Sequence, residues 1–205
     1  MLSKSRFESS IIMNPVLLIH GFVDKSIVFN KMSSYLIAKG YEIHSIDLTP
    51  NYGTADLKIL AEQVKKYIDN TFSIGQKIDL IGFSMGGLVT RYYLQRMEGN
   101  KKVDKYISIS APNNGTLTAY LLPFEGIKQM RPESEFLLDL NKDLKENLSG
   151  IKSLFLWTPY DLMIFPAKSS VMAGIPQESI PVLNHKWMIS DGRVLERVDR
   201  FLSDS

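Results

Sequence analysis

Gly82-Phe83-Ser84-Met85-Gly86-Gly87 holds a serine between two glycines at G-x-S-x-G spacing, directly after an apolar run. A hydroxyl becomes a useful nucleophile when it is projected into a site from a sharp turn and when a base takes its proton. The glycines at 82 and 86 meet the steric half of that need, because only small neighbours let a serine sit so tightly between strand and helix. The chain has no cysteine, so thiolate nucleophiles, disulfides and Cys-ligated zinc are excluded and covalent chemistry falls to oxygen or nitrogen. Three histidines are available as the base: His20, His44 and His185. In a serine-first arrangement the order along the chain is serine, acid, histidine, which selects His185. The acid must then lie between them, past the end of a strand. Asp161 does, after Leu154–Trp157 and the Thr158-Pro159 break, whereas Ser110-Ala111-Pro112-Asn113-Asn114-Gly115 has no carboxylate before Glu125. The chemistry this set implies is acyl transfer. His185 takes the Ser84 proton, Asp161 fixes the imidazole tautomer, and Ser84 attacks an ester carbonyl. The backbone N–H groups of Met85 and of Phe22, in His20-Gly21-Phe22, are the expected oxyanion donors. His20 is expected to brace that loop, and His44, inside a strand pattern, to be structural.

Other chemistries fit less well. Gly82-x-Ser84-x-x-Gly87 is one substitution from a dinucleotide fingerprint, but Ser84 occupies the place of the glycine that admits a pyrophosphate, and Ile107-Ser108-Ile109-Ser110 ends without the required acid. There is no H-E-x-x-H, and the histidines are scattered, so neither a metal nor another cofactor is expected. With 24 Lys and Arg against 22 Asp and Glu, the formal charge of +2 does not suggest a nucleic-acid partner. At the N-terminus, Lys4 and Arg6 precede an apolar stretch, but Glu8 and the Asn14-Pro15 break argue against a secretory signal. A cytoplasmic protein, with contact to a lipid surface left open, is the expectation.

The elements that would position these residues alternate. Val16–Ile19, Tyr41–Asp47, Lys77–Phe83, Val103–Ser110, Ser153–Trp157 and Ile180–Leu183 read as strands. Between them lie helical spacings over Val28–Leu36, Leu57–Ile68 and Met85–Met97, with a closing helix through Leu195, Val198 and Leu202. Such alternation predicts one α/β domain over residues 1–205, a mostly parallel sheet with helices on both faces, and functional loops at the strands' carboxyl ends. Residues 112–150 interrupt the rhythm. Thr116–Phe124 is apolar, Glu133–Leu148 has the pattern of one amphipathic helix, and the segment reads as a short cap. Its charges from Asp139 to Glu146 read as a solvated face.

His20-Gly21-Phe22, the serine turn, Asp161 and His185, in that order, resemble the α/β-hydrolase fold. More narrowly, Gly86-Gly87-Leu88-Val89-x-Arg91-Tyr92-Tyr93 and Ser110-Ala111-Pro112-x-x-Gly115-Thr116 resemble small bacterial triacylglycerol lipases of the class 2 type. The sequence departs from them at Asn113-Asn114, where those lipases often carry a histidine. Gln129–Leu137 is similar to a stretch of larger lipases. The resemblance implies carboxylic ester hydrolysis without a cofactor. Leu121, Leu122 and Phe124, with Leu162, Ile164 and Phe165, flank the expected mouth and suit an acyl chain or a lipid surface. An acyltransferase or thioesterase would use the same triad, and a non-catalytic binding protein of this fold is the remaining alternative.

Overall fold

The structure, a computed structural model, describes residues 13–204; Lys4, Arg6 and Glu8 lie outside them. Six strands form one sheet: β1 (Val16–Ile19), β2 (Ile43–Ile46), β3 (Ile78–Phe83), β4 (Val103–Ile109), β5 (Lys152–Trp157) and β6 (Gln177–Ser179). Every pairing is parallel and the order is β2-β1-β3-β4-β5-β6. Because alternate side chains point to opposite faces, the apolar runs of the central strands feed two cores. Leu17, Ile19, Leu80 and Tyr106 pack under α2 (Leu57–Thr71) and α3 (Met85–Arg96). Val16, Leu18, Ile81 and Ile107 pack with Met32 of α1 (Asn30–Ala38) and Val198 of α7 (Gly192–Ser203) on the other face. Burial on both faces explains why these strands are continuously apolar rather than alternating. Among the described residues no helix is long and apolar enough to cross a membrane.

Two expectations are corrected. The last strand is Gln177–Ser179, not Ile180–Leu183. All three of its residues are exposed, so it carries no hydrophobic signal. Beyond it Pro181 has no N–H for a ladder, and Val182 bonds instead to the Thr158 side chain. The single helix expected over Glu133–Leu148 is two, α5 (Glu135–Lys142) and α6 (Leu144–Leu148), preceded by a short α4 (Glu125–Lys128). The break falls at Asp143, which leaves helical geometry (φ −134°, ψ 26°). Asp139 and Asp143 are not simply solvated either, since both bind Arg96 of α3 at 2.8 and 3.0 Å. The Arg96 hydrogen bond, aided by Lys142, brings the Asp139 carboxyl down to about 2.

Residues 112–150 are fastened to α3 through Arg91, whose side chain is fully buried. Its guanidinium donates to Gln95 Oε1, Asn113 Oδ1, Asn141 Oδ1 and the Leu140 carbonyl, at 2.8–3.2 Å. No carboxylate is among these partners, and burial pulls its pKa down to about 10, so it stays charged at neutral pH. Asn113, at the position of the departure noted above, is therefore a partner of this cation.

Candidate active site

The sheet order places the carboxyl ends of β1, β3, β4 and β5 side by side, with Ile19 opposite Gly82, Phe83 opposite Ile109, and Ile109 opposite Leu156. Ser84 follows β3 directly and sits at φ 56°, ψ −127°, a conformation that L-residues rarely adopt, before α3 begins at Met85. The bend brings backbones so close that a side chain on Gly86 would strike the carbonyl oxygens of Ile19 and His20, and one on Gly82 would strike Thr90 and Gly87. A Cβ on Gly21 would lie 2.8 Å from that of Ser84. The loop after β1 is thus pressed against the serine.

His185 lies past the last strand at the start of a short 3-10 segment and is buried. Its Nδ1 is 2.7 Å from Asp161 Oδ2, while Asp161 Oδ1 accepts the N–H groups of Met163 and Ile164 at 2.9 Å each. An ionised carboxylate has only acceptors to offer, so Nδ1 is the protonated nitrogen and Nε2 has a free lone pair. The Phe83 ring packs on the imidazole with centroids 4.9 Å apart. His185 and Ser84 line the same cleft, of about 300 Å³, with Phe22, Asp24, Tyr160 and Lys186. The backbone N–H groups of Phe22 and Met85 take no protein partner among the described residues.

The other two histidines are committed elsewhere. His20 accepts the Leu48 N–H through Nε2 at 2.9 Å, so its Nδ1 carries the proton and donates to the Gly21 carbonyl. That leaves it no free nitrogen and ties β1 to the loop after β2. His44 contacts Tyr67 and Glu42 on the outer strand.

A second cleft, about 310 Å³ and far more apolar, opens on another side of Ser84. Leu121, Leu122, Leu162 and Ile164 line it as expected. Phe124 and Phe165 do not. Phe124 precedes α4 with its ring half exposed, and Phe165 turns outward while its backbone bonds Thr116 and Leu117. Sequence reasoning missed Thr116, Thr118, Ala119, Ile127, Met130 and Met163, which also line it. Ile127 and Met130 are one helical turn apart, a spacing visible in the sequence but without meaning until α4 is seen to pack beside the serine.

A parallel sheet with helices on both faces, a strained serine between β3 and α3, and an aspartate–histidine pair on loops past β5 and β6 define an α/β-hydrolase. Residues 15–130 match the model of the palmitoyl protein thioesterase family, more than half of the chain. This protein belongs to that family. It is similar to the lysosomal thioesterase PPT2 of Mus musculus, 35% identical over 107 residues, which are 49% of this chain and 34% of that protein. The Homo sapiens counterpart is 34% identical over the same length. The match thus spans about a third of these relatives. Among solved structures, the mature form of the Bacillus licheniformis lipase BlEst2 superposes with a TM-score of 0.78 at 16% identity, covering 95% of this chain and 94% of that one. Aspergillus fumigatus lipase B gives 0.79 at 17% identity, covering 94% and 53%. Those two share the fold. The matched residues include Phe22, Ser84 and Met85; Asp161 and His185 lie beyond them.

Proposed function

We propose that this protein is a serine hydrolase that cleaves fatty-acyl thioesters and esters through an acyl-Ser84 intermediate. The observation that carries the reading is Asp161 holding His185 Nδ1 at 2.7 Å while His185 and Ser84 line one cleft. In the first step His185 Nε2 takes the Ser84 proton as Oγ attacks the acyl carbon, and Asp161 supports the imidazolium that forms. The Phe22 and Met85 N–H groups, the latter at the positive end of α3, receive the oxyanion. On collapse the bond to the leaving thiol or alcohol breaks, and His185 returns the proton to it. Water, activated by the same histidine, then releases the acid.

Two features support a fatty-acyl substrate. The apolar cleft bounded by Leu122, Ile127, Met130 and Ile164 suits an alkyl chain, and the more polar cleft with Asp24, Asn184 and Lys186 remains for the leaving group. Family membership favours a thioester as the scissile bond. The test is hydrolysis of a chain-length series of acyl thioesters and matching p-nitrophenyl esters, with Ser84→Ala and His185→Ala as paired variants. Loss of about 10⁴–10⁶-fold in kcat is expected for each, as for other triads whose members act as a unit. Wild-type turnover that survives Ser84→Ala would overturn the mechanism, and absence of turnover in the folded wild type would favour a binding role.

A further inference from the structure

The loop after β1 contains a second strained residue. Val23 has φ 58°. For a β-branched residue with no glycine's freedom this is a costly conformation, and it persists only when its surroundings impose it. It lies in a tight turn closed by the Asp24 N–H on the Gly21 carbonyl. The Val23 side chain itself is 53% exposed, so packing does not impose it.

What imposes it is polar. Asn51, nearly buried in the loop after β2, accepts the Val23 N–H on its own carbonyl at 3.0 Å and donates its side-chain amide to the Asp24 carbonyl. The Asp24 carboxylate, 7% exposed, binds Lys186 Nζ at 2.6 Å. Lys186 is the residue after His185. Of the three consecutive N–H groups in this turn, those of Val23 and Asp24 are therefore taken and that of Phe22 is left for the cleft.

We propose that Asn51, together with the Asp24–Lys186 pair, is a positioning device for the oxyanion hole. It holds the Gly21–Asp24 turn in its strained form, so that the Phe22 N–H faces the reacting carbonyl before substrate arrives, and it couples that turn to the loop carrying His185. The inference rests on the Ser84 mechanism above. Neither Asn51 nor Asp24 need touch the acyl chain. Asn51 lines neither cleft, so its effect belongs to the transition state, where charge develops on oxygen, and not to substrate binding.

The test measures kcat, KM and inhibition by an alkyl trifluoromethyl ketone, which forms a tetrahedral oxyanion on the serine, for wild type, Asn51→Ala, Asp24→Asn and Val23→Gly. Removing an oxyanion donor outright costs about 10²–10³-fold in kcat; loosening one, as in Asn51→Ala, is expected to cost about 10–100-fold. For Asn51→Ala, KM should stay within about twofold and ketone affinity should fall in parallel with kcat; Asp24→Asn, at a residue that also lines the leaving-group cleft, is expected to lower kcat and the affinity for the ketone, which carries no leaving group. Val23→Gly guards against a folding artefact, since glycine accepts the positive φ and no packing is lost. It is expected to keep the wild-type melting temperature within a few degrees and, combined with Asn51→Ala, to recover part of the lost kcat, because glycine holds the positive φ without being forced into it. Unchanged kcat and ketone affinity in Asn51→Ala, a rise in KM alone, or no recovery in the Asn51→Ala/Val23→Gly double variant would overturn the proposal while serine-dependent turnover stood. Loss of serine dependence in the wild type would instead remove the mechanism beneath it.

Discussion

Ser84, Asp161 and His185 were legible because chain order and strand ends constrain them. The order admits one histidine of three, and the loop after β4 has no acid to compete with Asp161. Asn51 was not legible, since its part depends on β2 lying beside β1, and nothing near Thr49-Pro50-Asn51 marks it as other than a loop. Asp79 is a similar case on β3. It is 2% exposed, accepts the Lys105 N–H and an Asn14 amide proton at 3.1 Å each, and burial raises its carboxyl to about 6 despite these partners. A raised folded-state pKa means that the protonated form is the one folding favours. Its stabilisation is fully present below the unfolded value near 3.9 and is lost as pH rises through about 6. Asp79→Asn is therefore expected to be more stable than the parent at pH 7, by roughly 1–3 kcal/mol, with the difference gone near pH 4. Urea unfolding at the two pH values reads this directly, and a less stable variant at pH 7 would refute it.

Among the elements, strands with a face in each core were found within a residue or two, because double burial leaves a dense apolar signature. The edge strand β6 was misplaced because it buries nothing. What replaces a ladder there is the Thr158 hydroxyl, which donates to the Val182 carbonyl at 2.6 Å and accepts the Val182 N–H at 3.1 Å. Three residues further along each segment stand Asp161 and His185. The hydroxyl thus joins the two loops just before Asp161 and His185. Thr158→Val would take the hydroxyl donor from the Val182 carbonyl and leave the Val182 N–H with the Ile180 carbonyl alone, and is expected to lower stability by about 1–3 kcal/mol. Thr158→Ser should retain most of it. Thermal melts of the pair check the size, and a Thr158→Val protein as stable as wild type would show that the hydroxyl joins nothing of consequence. The split of α5 from α6 escaped the periodicity because Leu140, Leu144 and Leu148 keep helical spacing across the break, while Arg96 draws on the carboxylate of Asp143, the residue at which the helix stops.

At the scale of the whole molecule, the end of the sheet carrying Ser84 is ringed by exposed apolar side chains. Leu121 and Leu162 are 80% and 81% exposed, Leu183 is 71%, and Tyr120, Phe165 and Trp187 are more than half exposed. Single exposed hydrophobics need no explanation, but Leu121 and Leu162 line the apolar cleft and Leu183 the more polar one, and we propose that this rim is a contact surface. A lipid aggregate is the contact that would also deliver an acyl chain. Turnover of long-chain substrates is accordingly expected to rise several-fold above their aggregation threshold, and Leu121→Ser with Leu162→Ser to reduce that rise while sparing dissolved short-chain esters. Rates that follow monomer concentration alone would count against it. The ring can move only so far, however. Helix α5 shares one buried guanidinium with the helix that begins after the serine, and lifting α5 away would strand the positive charge of Arg91 without the Leu140 and Asn141 oxygens that solvate it. The amide protons of α3 and α5 are therefore expected to exchange with deuterium as one cooperative unit, on a slower clock than those of residues 117–124. Any opening is thereby expected to be confined to residues 117–124, since α5 and the helix that starts after the serine are held by the same cation.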